Sequence, residues 1–210
     1  MHSRRRRYFS SGARGVIALL CISLLTGVEV SAELHAAGQA PLDAPITKAN
    51  WNQHPKIKAV RAIVAAVDTG ITRKTLKVSG RKFEYCEPYA DTVRKKAVDA
   101  KGLVRMYEKQ GGSDDSSLTW KHFYDESGRL RFVFITGGAV NGAQLEHRIY
   151  FDEDGRRIWE EHKYVKGPQY TFPEVWPDDQ LQLHDPAAAF AAKSPCPVAK
   201  REQEDDLLGD

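Results

Sequence analysis

The sequence predicts an α+β fold: an antiparallel β-meander of about six to eight strands, with an N-terminal helix and a short C-terminal helix packed on it. Three observations predict this fold. Apolar residues recur at helical spacing after Pro55, apolar and polar residues alternate from about Thr75 to Tyr164, and Asp-x-x-Gly recurs three times within that alternating region. Each recurrence marks one hairpin unit, so the meander is expected to be built from three such units.

Composition limits the function classes. The 210 residues are 41% hydrophobic, which is enough for a packed core and too little for a protein that crosses a membrane many times. Because residues 1–32 contain five of the 31 basic residues and one acid, the rest of the chain carries a formal charge of −1. The formal net charge of the whole chain, +3, is too small to indicate a nucleic-acid partner, and we predict none.

Residues 1–32 have the three parts of a cleavable signal peptide. A cationic stretch begins at Arg4, about fourteen apolar residues follow from Gly15, and Val30-Ser31-Ala32 suits a signal peptidase. A membrane span needs ~20 apolar residues, and an uncleaved anchor is the alternative to cleavage. Arg6-Arg7 also fits a twin-arginine signal, so the route stays open between Sec and twin-arginine export. We expect a periplasmic or secreted protein with no membrane span after signal cleavage.

Residues 33–54 contain few large apolar groups and are predicted to form a flexible lead-in to a single domain at 55–197. The first helix is predicted to begin at Pro55, whose missing N–H costs nothing in a first turn, and to end at Asp68-Thr69-Gly70. Its apolar stripe, at three- and four-residue spacing, consists of Ile57, Val60, Ile63, Val64 and Val67.

The three Asp-x-x-Gly segments start at Asp99, Asp125 and Asp152, which are 26 and 27 residues apart. Asp at the first position of a turn accepts a hydrogen bond from the backbone two residues on, and Gly at the fourth position tolerates a positive φ. Each segment therefore predicts a hairpin tip, and four-residue tips pair Phe123 with Leu130. The predicted strands are 92–98, 103–109, 117–124, 129–136, 145–151 and 156–164.

Further turns and loops are predicted from glycine. Gly80 indicates a turn between two alternating runs, and the wider connections at 111–116 and 137–142 are predicted loops. The alternation also indicates that the sheet is apolar on both faces and needs cover on both. One face is predicted to carry Leu130, Phe132 and Phe134, and the other Val133 and Ile135.

The middle unit, Phe123-Tyr124-Asp125-Glu126-Ser127-Gly128-Arg129-Leu130, resembles the YD repeats of RHS-type bacterial surface and secreted proteins, which read Tyr-Asp-x-x-Gly-Arg-Leu. In the third unit Phe151 stands at the Tyr position of the family, and the first unit keeps its Asp and Gly with Arg105 downstream. The resemblance covers about residues 95–164. It implies β-hairpin architecture, and no function is carried over from it.

After Tyr164 the alternation ends. Prolines exclude long regular elements at 165–180, where Tyr170, Phe172 and Trp176 are expected to lie against the domain. Asp185-Pro186 predicts the N-cap and first turn of the short C-terminal helix. Residues 198–210 are predicted to be an acidic disordered tail.

Cys86 and Cys196 are the cysteines that remain once the signal peptide is removed. Two thiols in an oxidising compartment indicate one disulfide, with two unpaired thiols as the alternative. The bridge would close a loop of about 110 residues, which is worth ~4–5 kcal/mol in the chain-entropy model. Neither cysteine has a second Cys or a His at the spacing of a zinc site.

Catalytic motifs are missing from the sequence: it has no Gly-x-Ser-x-Gly, no phosphate loop and no His-Glu-x-x-His. We predict no catalytic residue and no cofactor. The one candidate metal cluster is His147, Glu160 and His162, since the deduced hairpin places His147 opposite Glu160 with His162 on the same face. Glu146 and Glu161 are expected to face each other on the other side, as two solvated acids.

Four aromatic residues form a candidate ligand-binding row on neighbouring strands: Trp120, Tyr124, Tyr150 and Trp159. An exposed row of this kind stacks on sugar rings or accepts a partner surface, whereas a buried row is core. We therefore expect an exported, non-enzymatic binding or interaction module that uses a sheet face, with an envelope protein or a glycan as its partner. The alternatives are an extracytoplasmic hydrolase or metal-dependent enzyme that uses the His/Glu cluster, and a purely structural envelope protein.

Overall fold

The computed structural model describes residue 42 and residues 44–84 and 91–193, all within the unit Gly38–Asp210. The helices are a 3₁₀ helix at Trp51–Gln53, α1 at Pro55–Thr72, α2 at Asp178–Leu181 and α3 at Pro186–Ala191. The strands are β1 Lys77–Lys82, β2 Asp91–Val98, β3 Val104–Ser113, β4 Ser116–Tyr124, β5 Leu130–Ala139, β6 Gln144–Phe151 and β7 Arg157–Lys166. The predicted signal peptide, the predicted tail, Cys86 and Cys196 lie outside the described residues.

The seven strands form one antiparallel sheet in which each strand pairs with the next along the chain, from β1 to β7. This confirms the predicted α+β fold, an antiparallel meander with an N-terminal helix and a short C-terminal helix. No helix among the described residues is both long and apolar enough to cross a bilayer.

Helix α1 starts where the sequence predicts. His54 caps it, because its Nδ1 accepts a hydrogen bond from the Lys56 amide at 3.2 Å, and Pro55 follows in the first turn. The predicted end at Gly70 is wrong, since the helix continues to Thr72. Gly70 is buried in the last turn, where an added Cβ would lie 2.8 Å from Leu76 Cγ. This glycine allows close packing and does not end the helix.

The predicted flexible lead-in is wrong from residue 44 onward. Trp51 stacks on Trp159 with ring centroids 5.8 Å apart, and Ile46 packs in the same apolar cluster. The ring of His54 is fully buried, and its Nε2 lies 3.0 Å from the carbonyl oxygen of Ala44. The described segment before α1 is therefore part of the domain, held by the rings of Trp51 and His54. Composition alone did not predict these contacts.

The three Asp-x-x-Gly segments form hairpin tips with the same bonds. In each, the Gly amide donates to the Asp carbonyl at 3.0–3.2 Å, and the Asp amide donates to the carbonyl four residues on at 2.9–3.0 Å. The Asp Oδ1 accepts from the amides two and four residues on. Gly102, Gly128 and Gly155 have φ of +86°, +79° and +79°, a region that glycine enters without steric cost.

A β-bulge follows each tip and changes the predicted pairing. The extra residues are Arg105, Arg131 and Ile158, each six positions after its Asp. In the second tip, Tyr124 pairs with Leu130, one position beyond a four-residue tip, and the bulge adds another, so Phe123 pairs with Phe132 and not with Leu130. Because side chains alternate between faces, the bulge also moves Leu130 away from the face that carries Phe132.

The prediction of a turn at Gly80 is wrong, and the two predicted loops are shorter than expected. Gly80 lies inside β1, opposite Lys95, and β3 and β5 run through the first half of the predicted loops to Ser113 and Ala139. An added Cβ at Gly137 would lie 2.3 Å from Leu118 Cδ2 and 2.7 Å from Ser117 O. Such glycines permit close contact within the sheet and do not interrupt its strands.

Apolar side chains cover both faces of the sheet. On the face toward α1, here called the α1 face, Ile57, Val60 and Val67 of the helix pack on the sheet. The sheet residues that meet them are Ala97, Met106, Phe123, Phe132 and Tyr150. On the opposite face, the segment at 167–184 packs Phe172, Trp176 and Leu181 against Trp120, Val133, Ile135 and Ile149.

Tyr170 differs from its prediction, since 85% of it is exposed, whereas Phe172 and Trp176 are buried as expected. Helix α3 begins as predicted, because Asp185 Oδ1 accepts a hydrogen bond from the Ala188 amide at 2.8 Å. It packs through Phe190 near Tyr107 and Tyr124 on the face opposite α1.

Candidate functional site

The four predicted ligand-binding aromatics do not form an exposed row. Trp120, Tyr124 and Tyr150 are 8%, 1% and 3% exposed, and Trp159 is half-buried beneath Trp51. Trp120 lies on the face opposite α1, whereas Tyr150 and Trp159 lie on the α1 face. These residues are core, because strand alternation and the bulges distribute them over both sides of a sheet that is covered on both sides.

The predicted metal cluster is also placed differently. His147 pairs with His162, and Glu160 pairs with Ile149. The pairing is shifted by two positions: Phe151 already pairs with Arg157, one position beyond a four-residue tip, and the bulge at Ile158 adds the second. Glu160 Oε2 is 2.7 Å from Arg157 Nη1 and 3.7 Å from His147 Nε2, so the arginine holds the carboxylate. In the described part of the chain, no group of three His, Cys, Asp or Glu side chains is arranged to hold a metal ion.

The two predicted facing acids are apart as well. Glu146 pairs with Lys163, and Glu161 pairs with Arg148. Each acid therefore has a basic neighbour across the strand, and the paired carboxylates that glycoside hydrolysis requires are not formed there.

His147 is fully buried, and neither ring nitrogen has a hydrogen-bond partner in the described structure. Burial lowers the pKa of His147 to about 4, with smaller contributions from the charges of His162 and Arg157. His122 is buried on the same face, and burial followed by the charge of Lys109 lowers its pKa to about 3. Both imidazoles are neutral at pH 7, which fits core residues.

The candidate site that the structure offers lies on the α1 face, beside the helix. Lys121, Phe134 and Arg148 are direct cross-strand neighbours on β4, β5 and β6. They lie one row beyond Phe123, Phe132 and Tyr150, which α1 covers. All three are only partly buried, so the row beside the helix is open to solvent.

This row and the helix enclose an open groove of about 440 Å³. Its described lining residues are Arg61, Val64, Ala65 and Asp68 of α1, and Lys121, Phe123, Phe132, Phe134, Arg148 and Tyr150 of the sheet. A second concavity of about 450 Å³ lies at the β3–β4 and β5–β6 turns and is lined mainly by Ser, Gly and Ala. The first groove has the aromatic walls that small-molecule sites use.

Aromatic rings form the floor of the groove. Phe134 stacks on Phe132 with ring centroids 6.4 Å apart and planes 16° apart. Phe132 in turn contacts Tyr150 at 4.9 Å and Phe123 at 5.8 Å between centroids. Because the buried rings fix the outermost ring, Phe134 presents a preorganised apolar surface at the edge of the core.

Cations border this floor. The guanidinium of Arg148 lies 4.8 Å from the Phe134 ring centroid and 2.8 Å from Glu146 Oε2. Lys121 Nζ is 3.4 Å from Glu108 Oε2, and the other oxygen of Glu108 is 2.6 Å from Lys95 Nζ. A surface with an aromatic floor and a basic border can bind an apolar body that carries an anionic group.

Sequence reasoning did not single out Lys121, Phe134 and Arg148 as a site. Alternation placed Phe134 on one face with Phe132, and that part of the prediction agrees with the structure. Which cations flank Phe134 depends on the pairing of three strands, and which rings remain open depends on where α1 lies. No family model matches the chain, and no curated protein or solved structure shows significant similarity to it.

Proposed function

We propose that the protein is an exported, non-enzymatic binding module whose working surface is the α1 face of the sheet. In this proposal the groove between α1 and strands β4 to β6 holds a small, largely apolar ligand. The observation that carries it is the half-buried ring of Phe134, stacked on the core and open to a groove of ligand size. Export rests on residues 1–32, which have the composition of a signal peptide.

The lining of the groove favours binding over catalysis. None of its described lining residues is Ser, Cys or His, so the described lining lacks the pairing of a hydroxyl or thiol nucleophile with a histidine base. The alternative enzyme would have used His147, Glu160 and His162. His147 is sealed in the core, and Glu160 is held by Arg157, which argues against that alternative.

We further propose that the meander is built from three copies of one hairpin unit, as the resemblance to YD repeats implies. Two observations support this: the three tips form the same hydrogen bonds, and a bulge lies six residues after each Asp. The first two bulges carry Arg105 and Arg131, whose Nε atoms donate to the carbonyls of Tyr124 and Phe151 at 3.2 and 3.3 Å. Tyr124 and Phe151 each directly precede the Asp of the next unit, so the arginines join successive units in the same way.

We also propose the disulfide between Cys86 and Cys196. Arg81 and Arg94, on the two strands that precede and follow the segment with Cys86, both donate to the carbonyl of Ala192, at 3.0 and 2.8 Å. Ala192 lies four residues before Cys196, and Arg81 lies five residues before Cys86. These contacts bring the described flanks of both cysteines to one edge of the sheet.

The groove is tested with N-phenyl-1-naphthylamine, a neutral aromatic probe that fluoresces when it leaves water. The mature protein should bind this probe, and Ala65→Trp, which fills the groove from an exposed position on α1, should abolish the fluorescence. The matched control is Ala59→Trp, another exposed α1 position outside the described lining, which should retain binding. Absence of binding by the mature protein, or equal loss in both variants, contradicts the proposal.

A further inference from the structure

We infer that the groove selects ligands in which an aromatic body carries a single anionic group, and that Lys121 binds that group. This inference rests on the proposed function and specifies its ligand class. It follows from how the charges around the aromatic floor are paired.

The charges on the border of the groove do not cancel. Of the described lining residues, Arg61, Lys121 and Arg148 are cationic and Asp68 is acidic. Arg148 has an acid of its own, since its Nη1 is 2.8 Å from Glu146 Oε2. Asp68 balances one more of these charges in the count over the border. One net positive charge therefore remains.

Lys121 shares its acid with a second lysine. Glu108 Oε1 is 2.6 Å from Lys95 Nζ, whereas Glu108 Oε2 is 3.4 Å from Lys121 Nζ. Two ammonium groups on one carboxylate leave one net positive charge, and the longer distance assigns most of it to Lys121. The Lys121 side chain is 40% exposed, so a ligand reaches its ammonium without displacing core residues.

The other two cations are already engaged by the protein. The guanidinium of Arg61 donates to the Asn52 carbonyl at 3.0 Å and lies over the ring of Trp51 at 4.9 Å. The guanidinium of Arg148 lies over Phe134 at 4.8 Å. These contacts orient both groups as walls of the groove, and Lys121 is the cation that gains most from an incoming anion.

The register of the sheet sets the position of the ligand. Lys121 is the direct cross-strand neighbour of Phe134, and such neighbours have Cβ atoms about 5 Å apart. A ligand ring packed against the solvent-accessible part of Phe134 therefore places an attached carboxylate or sulfonate within reach of the Lys121 ammonium. Charge-assisted contact of this kind is stronger than a neutral hydrogen bond, so the anion gives selectivity in addition to the apolar contact.

The test compares two probes with the same aromatic skeleton. 8-Anilino-1-naphthalenesulfonate is N-phenyl-1-naphthylamine with an added sulfonate, and fluorescence titration gives the dissociation constant of each. We expect the mature protein to bind the sulfonate about tenfold more tightly than the neutral probe. Lys121→Gln should reduce the ratio of the two affinities from about tenfold to about twofold or less. A higher salt concentration should also reduce the preference, because salt screens the attraction between Lys121 and the sulfonate.

Lys58→Gln is the matched control, because Lys58 is an exposed lysine of α1 outside the described lining. It should keep the preference for the sulfonate. Equal affinity for the two probes, or equal loss of preference in Lys121→Gln and Lys58→Gln, overturns the inference and leaves the proposed function standing. Failure of the mature protein to bind either probe overturns both. If binding falls as protein concentration rises, the face is occupied by a second copy of the chain, which also overturns the inference.

Discussion

The guanidinium of Arg131 lies against the carboxylate of Asp125, with Nη1 3.3 Å from Oδ2, and both side chains are more than nine-tenths buried. Arg131 is the bulged residue that follows the second tip, and Asp125 is the first residue of that tip. The same carboxylate accepts a hydrogen bond from Nε of Arg129 at 3.1 Å, but the Arg129 side chain is 49% exposed. One acid therefore has a buried and an exposed partner.

Removal of the buried partner should destabilise the protein far more than removal of the exposed one. Arg131→Met leaves Asp125 buried without its main counter-charge and should lower the free energy of unfolding by about 3 kcal/mol. Arg129→Met removes an exposed ion pair and should cost less than about 1 kcal/mol. Urea unfolding at pH 7 measures both. Equal losses would show that the burial of the pair is unimportant.

Stability should decrease on acidification because of His147. Burial lowers its folded pKa to about 4, below the ordinary value of 6.5, so the unfolded chain binds a proton that the folded protein does not. This destabilisation is absent above pH 6.5, grows as the pH falls, and reaches its limit near pH 4. The carboxylate of Glu160, 3.7 Å from the ring, opposes it, and Arg157 and His162 reinforce it.

The measurement is the free energy of unfolding at pH 7, 5.5 and 4.5. His147→Leu should flatten its decline across this range by about 1–3 kcal/mol. The control His184→Leu changes an exposed histidine and should keep the decline of the original protein. A decline in His147→Leu as steep as in the control would assign the pH dependence to other groups. Below this range a further loss is expected from Asp125.

Asp125 also makes the free energy of unfolding fall as the pH falls, but for a different reason. Its burial alone would raise its pKa, but hydrogen bonds from the Arg129 and Ser127 amides and from the Arg131 side chain lower it below the ordinary value of 3.8. The stability this gives is present above pH 3.8 and is lost as the pH falls through the lowered pKa.

The proposed disulfide predicts that the mature, exported protein contains no thiol that reacts with an alkylating agent until it is unfolded and reduced. Reduction should raise the mass by two hydrogens and lower the free energy of unfolding by about 4–5 kcal/mol, because the bridge closes a loop of about 110 residues. The double variant Cys86→Ser/Cys196→Ser should show the lower stability with and without reductant. Two alkylated thiols in the unreduced protein would contradict the bridge.

Local signals in the sequence were sufficient to predict α1 and the three hairpin tips. The stripe from Ile57 to Val67 predicted α1, and the recurring Asp and Gly predicted the tips, because these interactions lie within four residues along the chain. Alternation predicted an antiparallel meander between them. The predictions failed at Gly70, Gly80 and Gly137, where the sequence does not show whether a glycine ends an element or lets two parts of the chain approach.

Only the tertiary structure decided the candidate site. One extra residue after each tip shifts the strand pairing, and with a side-chain period of two this exchanges the faces of the residues around the bulge. The bulge separates Leu130 from Phe132, and the pairing at the tip together with the bulge places His147 beside His162. The position of α1 then determines that Phe132 is covered while Phe134, two residues on, stays half-open between Lys121 and Arg148. Strand pairing and helix packing join residues far apart in the chain, and no local pattern in the sequence encodes them.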